Sequence, residues 1–177
     1  MRILTTGRWL ALFAMISLVI ALVVVTTMAG EKHEIGGKMT MTYPEQERLE
    51  VGDTEEHILT FGTAEGINEC TSEHTFMDGA QAVNMAFGDL VQGSGPHQGY
   101  LKLVKGDDVV FCKWKGLVTT TVPQEGAPII AFEGNFSYIK GAGQFESIQG
   151  SGTYQGMFTS KTEYSVKWEG EYFIASE

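Results

Sequence analysis

Apolar and polar residues alternate with a period of two along most of the chain beyond residue 37, and no stretch of helical period is long enough to compete. The alternation predicts strands at 38–51, 57–67, 82–90, 98–105, 109–122, 129–140, 143–149, 152–160 and 162–174. Turn-forming clusters separate several of them: Val51-Gly52-Asp53, Gly93-Ser94-Gly95-Pro96, Gly106-Asp107-Asp108, Pro123 to Pro128 and Gly150-Ser151-Gly152. Connections this short leave no room for crossover helices. The pattern therefore predicts an all-β fold, an antiparallel eight- or nine-stranded barrel or closed sandwich in up-and-down order. Only Asn68 to Gln81 breaks the rhythm, and it reads as a long loop or a loop with one short helical turn.

Three segments repeat one motif: Trp114-Lys115-Gly116-Leu117-Val118, Phe132-Glu133-Gly134-Asn135-Phe136 and Trp168-Glu169-Gly170-Glu171-Tyr172. In each, an aromatic residue, a glycine and a further apolar residue share one face of the strand. The opposite face carries Lys113, Lys115, Glu133, Lys167 and Glu169, and must be wet. Glycine weakens a strand interior, so its repetition on the apolar face points to a bend or to a ring lying over bare backbone, as a tightly curved sheet requires. The candidate lining of a core or ligand pocket is Trp114, Phe132, Phe136, Tyr138, Trp168 and Tyr172.

The first 29 residues differ in kind. Arg2 and Arg8 precede an uncharged, largely aliphatic run from Trp9 to Ala29, and Thr27-Met28-Ala29 places small side chains where a signal peptidase reads them. Residues 1–29 are thus expected to be a signal peptide or, since 21 uncharged residues suffice to span a bilayer, an uncleaved membrane anchor forming a hydrophobic helix. Both alternatives leave the arginines on the cytoplasmic side and export residues 30–177, a single β-barrel domain, to a periplasmic or secreted destination. Any membrane association is expected only through an uncleaved N-terminal segment.

Charge narrows the partners. The chain carries 22 Asp and Glu against 12 Lys and Arg, and removing Arg2 and Arg8 takes the net charge from -10 to -12. Such a surface repels phosphate backbones, so no nucleic-acid partner is expected.

Candidate chemistry is sparse. The glycine-rich stretch from Gly141 to Tyr154 lacks the Lys-Ser/Thr of a phosphate loop and has no helix after it. It reads as two glycine-defined turns around a short strand with Phe145 and Ile148 turned inward. Through Gly141, Gly143, Phe145 and Gly150, and the rhythm of the last 80 or so residues, the chain resembles the barrels of the allene oxide cyclase and dirigent type and similar small secreted bacterial barrels. That resemblance implies eight strands around an apolar cavity; no match to the family's catalytic residues exists, so no cyclase activity is implied.

Cys70 and Cys112 are the only cysteines, and an exported chain permits a disulfide between them or leaves two independent thiols. Cys70 and His74 have a spacing that would bring two metal ligands together, but no third ligand is evident, and no metal or cofactor is expected. His97, within Gly95-Pro96-His97-Gln98-Gly99, reads as an exposed turn histidine. No serine or cysteine is paired with a histidine by a known motif. The expected function is a non-catalytic module that takes a small apolar ligand or meets an envelope protein. The alternative is a small cyclase- or isomerase-like barrel enzyme with a buried carboxylate or histidine beside an apolar pocket. Cleavage after Ala29 predicts a mature chain beginning at Gly30, which a mass measurement on the exported protein checks; an intact N-terminus in the membrane fraction identifies the anchor instead.

Overall fold

The computed structural model describes residues 30–176, so the expected signal or anchor helix lies outside the described residues. Eight antiparallel strands follow one another around a closed barrel: β1 (His33–Glu50), β2 (His57–Cys70), β3 (Gln81–Val91), β4 (Gly95–Lys105), β5 (Asp108–Thr121), β6 (Ile129–Ala142), β7 (Ile148–Phe158) and β8 (Glu163–Ile174). Each strand pairs with the next, and β1 closes the ring on β8 from His33↔Tyr172 to Thr42↔Glu163. Closure removes the free edge strands of an open sheet, and β1 past Thr42 pairs with β2 alone. Among the described residues, no helix is long and apolar enough to cross a membrane.

Nine expected strands become eight because 143–149 is not one. Gly143 sits at φ +67, outside the reach of an extended run, and Gly143–Phe145 forms a single 3-10 turn that buries Phe145. Gly150-Ser151-Gly152, expected as a turn, lies inside β7 instead. Gly152 is there for space rather than for turning, since a β-carbon on it would meet the Phe136 ring at 2.5 Å.

The alternation places Trp114, Phe132 and Trp168 inside while Lys113, Glu133, Lys167 and Glu169 face solvent. Glycines pair across the inner face, with Gly116 opposite Gly134 and Gly152 opposite Gly170. A β-carbon on Gly134 would stand 2.5 Å from the Tyr154 Oη and 2.7 Å from the Gly116 Cα. The strands approach too closely here for any side chain. Glycine thus sets the curvature that closes the sheet.

The 71–80 connection plugs one end of the barrel. Phe76 is 1% exposed and packs edge-on against Phe145 and Trp168, with ring centroids 5.2 and 6.0 Å away. Burying one ring contributes about 1.5 to 3 kcal/mol, which does not offset ordering a loop at about 1 to 2 kcal/mol per residue. Hydrogen bonds supply more. Asn68, fully buried on β2, donates its amide to the Phe76 and Met77 carbonyls at 3.1 and 2.9 Å, and the Cys70 amide donates to Asp78 Oδ1 at 2.8 Å.

Three substitutions separate these contributions in chemical denaturation. Gly134→Ala is expected to cost about 1 to 3 kcal/mol through overpacking, and Trp168→Ala about 3 to 5 kcal/mol through loss of a buried ring. Glu169→Ala, on the wet face, is expected to stay within about 0.5 kcal/mol.

Candidate functional site

The barrel is not filled. A cavity of about 460 Å³ runs down its axis, within the size range of small-molecule sites. Its floor, toward the plugged end, is formed by Phe76, Met39, Leu103, Cys112, Tyr138 and Trp168. Higher on the wall stand Trp114, Phe132, Phe136, Tyr154 and Tyr164. Gln46, Arg48, Ser160 and Lys161 line the cavity yet are exposed, which marks where it meets solvent. This mouth lies at the end carrying the β1–β2, β3–β4, β5–β6 and β7–β8 connections.

Of the aromatic residues expected to line a core or a ligand pocket, Trp114, Phe132, Phe136, Tyr138 and Trp168 line the cavity. Tyr172 sits below the floor, packed on Phe76 and His33 with ring centroids 5.0 Å from each. The two cysteines are free thiols, so the candidate bridge is not formed. Each has its own setting. Cys112 is buried in the barrel, where burial pushes its thiol pKa up to about 12. Cys70 Sγ is held in the plug, 3.2 Å from Ser72 Oγ and accepting the Phe76 amide at 3.4 Å.

A recurring arrangement holds the large rings. Trp114 lies over Gly99 on β4, with its indole Cε2 at 2.8 Å from where a β-carbon would stand, and donates Nε1 to Asn84 Oδ1 on β3 at 2.8 Å. Trp168 lies over Gly37 on β1 and donates to Asn68 Oδ1 on β2 at 3.0 Å. Tyr154 crosses both Gly134 and Gly116 to reach His97 Nε2 on β4 at 3.0 Å. In each case a ring passes across bare backbone, and its polar tip finds a partner beyond the adjacent strand. Asn84 continues its chain by donating to Tyr164 Oη at 2.8 Å.

His97 corrects the sequence expectation. It is not in a turn but on β4, half-buried against Trp114 and Phe132. Burial lowers its pKa to about 4, partly offset by a hydrogen bond to the Glu133 backbone carbonyl. Its Nε2 lies within hydrogen-bond distance of the Tyr154 hydroxyl, at 3.0 Å, and burial raises that hydroxyl's own pKa. The missed signal was parity: His97 shares one row of β4 with Leu101 and Leu103, which also line the cavity. His57, at the mouth end but outside the barrel wall, behaves oppositely. Asp89 and Asp53 accept from its two nitrogens at 2.7 and 2.5 Å and raise its pKa.

Among the described residues, no cluster of three or more His, Cys, Asp or Glu is placed to hold a metal. No family model matches the sequence, and no curated protein matches it. In fold it is similar to two solved pterocarpan synthase dirigent proteins. GePTS1 is 11% identical, with 86% of this chain and 96% of that one covered and a TM-score of 0.45. PsPTS1 is 10% identical, with 84% and 99% covered and a TM-score of 0.39. The likeness is a weak, fold-level resemblance to the dirigent type of barrel.

The two histidines predict opposite pH dependences. Between pH 6.5 and about 4 the unfolded chain takes up a proton that folded His97 refuses, so His97 makes stability fall as pH falls through that window. The raised pKa of His57 gives a contribution fully present below 6.5 and lost as pH rises through its folded value. Imidazole titration by NMR checks both: at pH 6.5, where a free ring is half charged, His57 is expected mostly charged and His97 neutral.

Proposed function

We propose that this chain is an exported, non-catalytic barrel that holds an apolar small molecule in its interior. The observation that carries the reading is the aromatic and aliphatic cavity of about 460 Å³, open at one end and plugged at the other. Such a site takes up apolar surface without demanding many polar contacts, and its fixed rings order little on binding. A few polar groups converge on it, among them the Tyr154 hydroxyl beside His97 and the Tyr164 hydroxyl beside Asn84. These orient a ligand rather than transform it.

The chemistry of those groups supports binding over catalysis. Among the described residues, no Asp or Glu lines the cavity. His97, with a pKa near 4 and Nε2 already engaged by Tyr154, is a weak base at neutral pH. A cyclase- or isomerase-like reading therefore lacks the matched acid and base it needs. An envelope protein meeting the outer wall or rim remains compatible with an occupied interior.

Native mass spectrometry of the protein from its source is expected to show an added small-molecule mass. The neutral probe N-phenyl-1-naphthylamine is expected to bind with enhanced fluorescence. Ala86→Phe, which places a ring in the cavity from β3, is expected to reduce that binding at least about tenfold while the circular dichroism of the barrel is retained. Undiminished binding to the Ala86→Phe protein would put the probe outside the barrel and sink the proposal.

A further inference from the structure

Resting on that interior-binding reading, we infer that the occupant is an amphipathic anion: an apolar body inside the barrel and an anionic head group at the mouth, met by Arg48 and Lys161. The cavity's lining, in a chain with 22 acidic against 12 basic residues, includes these two cations and no carboxylate among the described residues. Neither cation forms an ion pair with any described residue. Both therefore keep their charge available for a ligand.

Arg48 faces inward because of one irregularity. Along β1 the inner face runs Met39, Met41, Tyr43, and the pairing with β2 then shifts between Thr42 and Glu45. Pro44 occupies the break, where a residue lacking an amide hydrogen is tolerated. Past it, Gln46 pairs with Gly62 and Arg48 with Thr60, both on the inward row of β2 that includes Ala64. Without the extra residue, Glu45 and Glu47 would take those places and the mouth would repel anions. Glu50, next on the inward row, does not line the cavity and forms no ion pair with Arg48.

Lys161 comes from the β7–β8 connection. The Tyr43 amide, at the start of the break, donates to the Thr162 carbonyl at 2.7 Å and holds that connection beside β1. Both cations are thus brought to one side of the mouth, above the Tyr43, Phe158 and Tyr164 cluster, whose ring centroids lie 5.5 to 6.4 Å apart. An apolar body leaving those rings would present its head group to guanidinium and ammonium together. A carboxylate, a sulfonate or a monoester phosphate shares this chemistry.

Two probes with nearly the same body isolate the head group: 8-anilinonaphthalene-1-sulfonate, which is anionic, and N-phenyl-1-naphthylamine, which is neutral. Both are titrated against the full chain and against the double variant Arg48→Glu, Lys161→Glu. The sulfonate is expected to lose at least about tenfold in affinity, and the neutral probe to change by no more than about twofold. Raising ionic strength is expected to weaken only the sulfonate. Retained binding of the neutral probe also shows that the barrel is intact. If both probes are lost, Arg48→Gln with Lys161→Gln is judged by the same criterion. Sulfonate binding insensitive to these changes, or not blocked by Ala86→Phe, overturns the head-group assignment alone. Failure of both probes on the unaltered chain overturns interior binding itself. If that assignment stands, displacement of the bound sulfonate by a long-chain carboxylate and by the alkyl monophosphate of the same length distinguishes the head groups.

Discussion

The structure depends on flat rings laid across strands that have no side chain beneath them. An indole N–H or a phenol buried in a barrel needs a hydrogen-bond partner, and in Trp114, Trp168 and Tyr154 the partner stands beyond a neighbouring strand, on Asn84, Asn68 and His97. Each ring can span that distance only if the intervening residue is glycine: Gly99 for Trp114, Gly37 for Trp168, and Gly134 with Gly116 for Tyr154. Glycine is costly within a strand. Here the cost is offset by a tether that joins three or more strands at once and so opposes slippage of any one.

The same geometry explains why the barrel is hollow. Small eight-stranded barrels are commonly filled by their inward side chains, and this one has aromatic residues enough to fill it. Rings pinned along the wall leave the axis free, whereas rings projecting inward would occupy it. Asn68 works differently from Asn84, although each accepts an indole N–H. Its two amide hydrogens are used on the backbone of the plug, so it closes the lower end. Asn84 links Trp114 to Tyr164 and leaves the upper cavity open.

Much of this was legible in the sequence, because a period of two sorts residues into faces without knowledge of the fold. The repeated aromatic–glycine motif correctly placed Trp114, Phe132 and Trp168 inside and announced a curved sheet. Glycine itself was ambiguous: Gly143 turns the chain, while Gly150 and Gly152, seven and nine residues on, lie within a strand. A glycine that makes room and one that bends the backbone look alike until the ring above it is known. Tyr172, expected to line a core or a pocket, packs against the core below the cavity, because parity reports the face and not the height along the barrel. Partners such as Asn84 and His97 depend on which strands neighbour a ring, and alternation carries no such information. Arg48 was hidden because the inner face changes parity at Pro44.

That change of parity bears on how the protein can diverge. In most binding sites, the charge presented to a ligand is altered by replacing the residue that bears it. Here Glu45, Gln46, Glu47 and Arg48 offer acidic and non-acidic sets on alternate positions of one short segment, and the count of residues before them decides which set is shown. Loss or gain of a single codon beside Pro44 would exchange the sets together, turning Glu45 and Glu47 inward and Gln46 and Arg48 outward with none of the four replaced. Relatives of this chain that differ in length at that point would then differ in the charge lining the cavity mouth, a divergence that comparison of aligned residue identities alone would overlook.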